Sequence, residues 1–336
     1  MASLKRRFIY IIICIKEFFK FCPYRKANID KNNLFLTCGH RGSPVNEPEN
    51  TIPSLERALS EGSNALEVDI CVTKDKEVIL WHDWNPDELV ALIREKGLEP
   101  EVRYKPDFPA PFSGFRNKTS ELTIQDFRKH FNYVKKGESQ PVGAHIPSLG
   151  EFIQWISDKE KVKYVFLDMK VPATEKELVI VILDQLDLLI KKYNPLCKFI
   201  LEIFSKEVLD TAKSKYSDLN YCLDVELPPG FIFFPRMYSG IKTAILNKNS
   251  IALVLRPRQI TIGNWMTYRR VMRYDVRKKN RFNKKNPDQQ IDFLIGCTIN
   301  SKKEMECLIK KGVNGIQTDY ARRLTNLVKQ YGFKRW

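Results

Sequence analysis

The chain has 336 residues, 43% hydrophobic and 29% charged, enough apolar matter for a large core and too much for a disordered chain. Lysine and arginine outnumber aspartate and glutamate 56 to 40, and the net charge of +16 favours phosphate-bearing partners: anionic membrane, nucleic acid or phosphorylated substrate. The eight cysteines form no CxxC pair and sit mostly in apolar runs, which excludes a disulfide frame or a zinc site and points to buried thiols in a reducing compartment.

Lys5, Arg6 and Arg7 open the chain, and the apolar run that follows is shorter than the roughly 20 residues of a membrane span. On a helix, Phe8, Ile11, Ile12, Ile15, Phe18 and Phe19 share one face, so residues 1–30 are expected to form a membrane-associated or signal-like helix. That expectation, with the cysteines, points to a membrane-associated protein on the cytoplasmic face, with a secreted or periplasmic location as the alternative.

From residue 34 the chain alternates strands and helices. Strands are expected over 34–40, 65–72, 77–82, 162–168, 199–203, 221–225, 251–255, 293–297 and 315–318, and helices over 53–60, 149–157, 175–191, 206–216, 302–310 and 324–330. Repeated βα units imply a mainly parallel sheet, and eight of them a closed barrel within one domain, 34–330. Nine strands is one too many. The second and third are separated by four residues, far too few for a parallel crossover, so one of that pair is expected to be antiparallel. Two insertions, about 84–143 and 227–250, interrupt the pattern, the first broken by Pro106, Pro109 and Pro111 and the second carrying Phe231, Ile232, Phe233 and Phe234. Such loops commonly cap the catalytic face of a barrel.

In the second strand, Leu66, Val68 and Ile70 fall on one face and Glu67 and Asp69 on the other. If the apolar face packs on helices, two carboxylates point into the barrel, which is costly without a compensating positive charge. A later strand repeats the arrangement, with Asp168 and Lys170 sharing the inward face. Three convergent carboxylates suit a hard cation, Mg²⁺ or Ca²⁺; the alternative is a set of salt-bridged barrel residues. Of only four histidines, His40 and His82 close strands, where barrel active sites lie. Two imidazoles near such a cation suit phosphoryl transfer, one taking a proton from the nucleophile and the other giving one to the leaving alcohol.

Taken in order, His40-Arg41-Gly42, Glu49-Asn50-Thr51, Glu67-x-Asp69, Thr73-Lys74-Asp75, His82-Asp83, Ile146-Pro147-Ser148-Leu149, Asp168-x-Lys170, Thr298-Ile299-Asn300 and the Gly315-to-Tyr320 segment resemble the glycerophosphodiester phosphodiesterase family. The resemblance implies a TIM (β/α)8 barrel of the PLC-like phosphodiesterase type, one divalent metal, and hydrolysis of a phosphodiester beside a free hydroxyl. It implies His40 and His82 as the acid–base pair, Glu67, Asp69 and Asp168 as metal ligands, and Arg41 and Lys170 as phosphate-holding residues. Glu49 and Asn50 are implied to support these from behind. Three departures stand out. The third ligand is Asp168 where the family commonly has Glu, and this Asp-x-Lys form resembles the membrane-anchored lysophospholipase D branch. It also occurs in the distantly related sphingomyelinase D toxins, which lack the Glu-Asn-Thr motif. Cys297 stands where a tryptophan often precedes the Thr-Ile-Asn segment, and Ala321 where a proline is usual.

The expected activity is therefore hydrolysis of glycerophosphodiesters to glycerol 3-phosphate and an alcohol. The alternative is release of the head group from lysophospholipids at an anionic membrane surface, which the amphipathic start, the apolar second insertion and the basic balance favour. A third reading keeps the barrel as a non-catalytic lipid- or nucleic-acid-binding protein. Its nucleic-acid form draws on Arg256, Arg258, Arg269, Arg270, Arg273, Arg277, Lys278 and Lys279 interleaved with Trp265, Tyr268 and Tyr274. Such runs are more often solvated or lipid-facing helix surfaces, so no nucleic acid is expected.

Overall fold

The computed structural model describes residues 34–217, 219–227, 235–256 and 262–333. The expected N-terminal helix and the Phe231–Phe234 cluster lie outside the described residues. Twelve strands run β1 (Leu36–His40), β2 (Ala65–Val72), β3 (Val78–Leu80), β4 (Tyr104–Asp107), β5 (Asn132–Lys135), β6 (Tyr164–Met169), β7 (Lys198–Ile203), β8 (Asn220–Leu223), β9 (Val225–Glu226), β10 (Ile251–Leu255), β11 (Phe293–Cys297) and β12 (Gly315–Thr318) among the described residues. The chain divides into two compact units.

The larger unit comprises residues 37–223 and 317–325. Its strands lie in the order β8-β7-β6-β2-β1, with β3 paired to β2 outside that path. Every pairing in that run is parallel, and β3 is antiparallel to β2 as the short 73–77 link requires. Helices Ile52–Ser60, Leu149–Ile156, Lys176–Tyr193 and Lys206–Lys215 follow the strands, and the second begins with a capping box between Ser148 and Glu151. Leu66, Val68 and Ile70 join one continuous apolar core with Leu149, Phe152 and Ile182. The outward apolar face of β2 thus packs on helices, as its alternation demands.

The first insertion belongs to this unit. It forms the helices Leu89–Glu95 and Ile124–His130 and an antiparallel β4–β5 hairpin, with Trp81 at the centre of an aromatic cluster of Phe108, Phe127, Phe131 and Tyr133. Arg116 pins its loop, pairing with Asp87 at 2.8 Å and Glu95 at 3.0 Å and donating to the Pro109 carbonyl at 2.8 Å.

Among the described residues, the smaller unit contains 34–36, 224–227, 235–256, 262–316 and 326–333. Its strands run β12-β11-β10-β9, again parallel. The strand expected over 221–225 is realised as two short pieces, β8 pairing with β7 and β9 with β10. The basic run forms a 24-residue helix, Ile262–Lys285. Trp265 and Tyr268 are buried on it, so neither offers a face on which a base could stack. The six cysteines among the described residues are buried and form no disulfide with one another.

Candidate active site

The site lies within the larger unit and starts from two turns. Gly39 and Gly42 let β1 end in a tight loop against the helix Ile52–Ser60. A Cβ on Gly42, at φ +87°, would meet the Ser54 backbone at 2.6 Å, and one on Gly39 would meet Ala58 Cβ at 2.8 Å. Between them Arg41 is held left-handed at φ 53°, a conformation costing about 1–3 kcal/mol for a side-chain-bearing residue. It aims the Arg41 N–H at Glu67 Oε2, 2.8 Å away. In Glu49-Asn50-Thr51 each residue has its own task. Thr51 caps the helix by accepting from Ser54 N, and Glu49 pairs with the Arg41 guanidinium at 3.0 Å. Asn50, also left-handed at φ 56°, grips Asp69 twice: its Nδ2 donates to Asp69 Oδ2 at 2.8 Å and its Oδ1 accepts from Asp69 N at 3.0 Å.

Strand register brings the acids together. Glu67 pairs with His40 across β1–β2, and Asp69 with Asp168 across β2–β6. Glu67, Asp69 and Asp168 each offer an oxygen within 4.8 Å of the others. Glu67 Oε1 and Asp168 Oδ1 are buried without a hydrogen-bond partner, while Asp69 Oδ1 lies 3.0 Å from Lys170 Nζ. Orphaned carboxylate oxygens in a buried cluster are what a hard cation would satisfy, so the donor set fits Mg²⁺ or Ca²⁺. Burial pushes Glu67 up to about 8, despite His40, with Asp69, Glu202 and Asp168 adding to the rise. Burial works against Asp69 as well, yet Arg41, Lys170 and the Asn50 amide hold it well below the usual carboxylate range. Lys170 bridges two of the acids, 2.5 Å from Asp168 Oδ2 and 3.0 Å from Asp69 Oδ1. Burial pulls its ammonium down, but Asp168 and Asp69 outweigh that and raise it.

His40 ends β1 as expected, whereas His82 lies two residues past β3 in the bend that leads into the first insertion; both are braced by a carboxylate at Nδ1. His40 Nδ1 donates to Asp319 Oδ1 at 2.6 Å, and its Nε2 lies 3.9 Å from Glu67 Oε2. His82 Nδ1 donates to Asp83 Oδ1 at 2.8 Å. Burial and Arg41 pull the His40 imidazole down, but Glu67 and Asp319 leave it raised overall. Burial raises Asp83 to about 6 against the pull of Arg94.

Sequence reasoning quoted Asp319 and Asp83 inside motifs but gave neither a role, although an acid beside a catalytic histidine's motif is a readable signal. It missed Arg94, Glu99 and Glu202 entirely. Glu202 pairs with Asp168 across β6–β7 and accepts from Gln317 Nε2 at 2.7 Å, which extends the acidic row of Asp69 and Asp168 by one strand. Its position in 199–203, one residue from the strand end like Asp168, was the available clue.

Comparison with known proteins bears on the fold and the family. Residues 40–224 match the model of the glycerophosphoryl diester phosphodiesterase family. A glycerophosphodiester phosphodiesterase of Caldanaerobacter subterraneus subsp. tengcongensis is 26% identical over 309 residues, 88% of this chain and 99% of the relative. Among solved structures, a glycerophosphodiester phosphodiesterase of Thermotoga maritima aligns with TM-score 0.56 and 17% identity, covering 87% of this chain and 98% of that one. An Oleispira antarctica phosphodiesterase in complex with the product sn-glycerol-3-phosphate aligns with TM-score 0.59 and 16% identity, covering 88% and 97%. These likenesses show the fold to be the expected α/β class, a parallel barrel of the PLC-like phosphodiesterase type. With the family model matched over more than half its length, the chain belongs to the glycerophosphoryl diester phosphodiesterase family.

Proposed function

We propose that this enzyme hydrolyses glycerophosphodiesters to glycerol 3-phosphate and an alcohol, with a divalent cation held by Glu67, Asp69 and Asp168 and with His40 and His82 exchanging protons. The observation that carries this reading is the pairing of one buried three-carboxylate cluster holding orphaned oxygens with two histidines, each fixed at Nδ1 by its own acid. When bound, the cation would supply positive charge for the phosphate oxygens and lower the pKa of an attached hydroxyl. Because Asp319 and Asp83 occupy Nδ1, Nε2 is the nitrogen of each ring assigned to proton transfer. His40, whose hold on a proton Glu67 and Asp319 strengthen against burial, gives its Nε2 proton to the departing alcohol oxygen as the P–O bond breaks. His82 takes the proton from the attacking hydroxyl, the substrate's own neighbouring group, and a cyclic phosphate results. In the second half the roles reverse as water opens the ring. Lys170 and Arg41 Nη2, a buried donor with no hydrogen-bond partner, neutralise the phosphate oxygens.

A second reading has its own support. The first insertion exposes Leu89, Val90, Ile93, Leu98, Phe112 and Phe115, an unusual share of large apolar side chains for one segment. That suits a lysophospholipid substrate taken from a membrane surface. Assaying glycerophosphocholine beside lysophosphatidylcholine, with Mg²⁺, Ca²⁺ or EDTA, separates the two. His40→Ala and His82→Ala should each lower turnover by roughly 10²–10⁴-fold. Near-wild-type turnover in either folded variant, or full activity in EDTA, would refute the assignment.

A further inference from the structure

We propose that Arg94, on the insertion helix Leu89–Glu95, is a positioning residue for the reaction. It fixes Asp83 behind His82 and joins that acid, through Glu49, to Arg41 and the carboxylate cluster. The inference rests on the catalytic reading above and adds a residue that the ordered motifs do not contain.

A continuous path of hydrogen bonds and ion pairs carries it. His82 Nδ1 donates to Asp83 Oδ1 at 2.8 Å, and Arg94 Nε meets the same carboxylate at 3.0 Å from Oδ1 and 3.1 Å from Oδ2. Arg94 Nη2 donates to Glu49 Oε1. Glu49 Oε2 accepts from Arg41 Nη1 at 3.0 Å, and Arg41 Nε lies 2.9 Å from Asp69 Oδ2. Glu99 closes the lattice, accepting from Arg94 Nη1 and lying 3.7 Å from Arg41 Nη1. Arg41, Glu49, Asp69, Asp83 and Arg94 are all buried.

Burial makes the arrangement consequential. A carboxylate in the protein interior that loses its cation is destabilised by several kcal/mol or takes up a proton. Without Arg94, Asp83 would lose the group that keeps it ionised and in place, and a protonated or rotated Asp83 no longer fixes the His82 tautomer. Glu49 would be left with Arg41 alone, free to draw that guanidinium away from Asp69. A planar fork is required: Nε serves Asp83 while Nη1 and Nη2 reach Glu99 and Glu49, three directions that a lysine ammonium cannot cover from one position. Ala91 and Arg94 are the helix's buried residues, so the segment turns its polar working face inward and its apolar residues outward.

The test uses the full chain with glycerophosphocholine and Mg²⁺, and wild-type turnover is the control for the catalytic reading itself. Arg94→Lys and Arg94→Ala should lower kcat about 10- to 100-fold, the usual cost of losing a supporting partner, with KM changed much less. Free guanidinium chloride at millimolar, non-denaturing concentration should restore part of kcat in Arg94→Ala and none in Arg94→Lys, whose side chain fills the site. Glu99→Gln, which leaves the Asp83 contact intact, should lose far less. Wild-type kcat in folded Arg94→Ala would overturn the proposal. So would a kcat loss that only follows the folded fraction in thermal melts, or failure of both Arg94 variants to fold, since either assigns a purely structural role.

Discussion

At the residue scale the two imidazoles depend on acids that look like bystanders in the sequence. A neutral histidine must choose which nitrogen carries its proton, and a carboxylate at Nδ1 makes the choice. In Asp319→Asn the partner becomes an amide that can donate as well as accept, so the His40 ring loses its fixed tautomer. kcat should fall by about 10²- to 10⁴-fold with little change in melting temperature. Nitrogen NMR of the variant at a pH where the His40 ring is neutral would show mixed Nδ1–H and Nε2–H populations, and a single tautomer with unchanged kcat would contradict the role. Glu67 gives a second test. Its folded pKa of about 8 lies above the unfolded value of 4.5, so between those limits the cation-free protein binds the extra proton. Stability of the cation-free protein should therefore fall as pH rises through that window. A cation must displace the proton, so apparent Mg²⁺ affinity should rise by up to about tenfold per unit up to roughly pH 8 and then level off. Calorimetry in buffers of different ionisation enthalpy would count one proton released. In Glu67→Gln the share of both dependences that this carboxyl contributes should be lost.

At the element scale, what could be read beforehand followed from how strongly each segment's pattern is tied to burial. β2 has a strict alternation and both faces enclosed, so its Glu67 and Asp69 were legible, and the short link to β3 fixed an antiparallel pair. The Glu-Asn-Thr and His-Arg-Gly segments were legible as motifs, but their physics was not. That Asn50 grips Asp69 from a left-handed turn, or that Gly42 has no room for a Cβ, depends on chain neighbours far apart in sequence. The helix Leu89–Glu95 was invisible. Its Ncap, Glu88, makes no side-chain cap, and its apolar residues Leu89, Val90 and Ile93 face outward, so the usual amphipathic signal is inverted. The helix Ile262–Lys285 was hidden differently, by basic residues dense enough to read as a solvated run. Periodicity reports burial against a core: Leu89–Glu95 turns its apolar residues outward, whereas Ile262–Lys285 does bury Trp265, Tyr268, Val271, Met272 and Val276 at helical spacing, a stripe that its basic residues obscure.

At the scale of the whole molecule, two features remain to be tested against a lipid surface, the net charge of +16 and the outward apolar residues of the first insertion. No helix among the described residues is long and apolar enough to cross a membrane, so attachment through these residues would be interfacial. The two features make separable predictions. Attraction of a basic surface to anionic lipid is screened by salt within roughly 10 Å at 0.1 M, whereas burial of apolar side chains is not. Leu89 and Phe112, 73% and 106% exposed, touch none of the catalytic groups, so Leu89→Ser with Phe112→Ser should leave glycerophosphocholine turnover unchanged. Flotation with phosphatidylserine-containing vesicles should weaken as salt rises in wild type, with a salt-resistant remainder that the double variant loses. If the enzyme draws lysophospholipid from a bilayer, that variant should also turn over vesicle-bound lysophosphatidylcholine more slowly while monomeric substrate is unaffected. Equal flotation and equal turnover by wild type and double variant would rule out the insertion as a lipid-contacting element and leave the water-soluble glycerophosphodiester as the substrate.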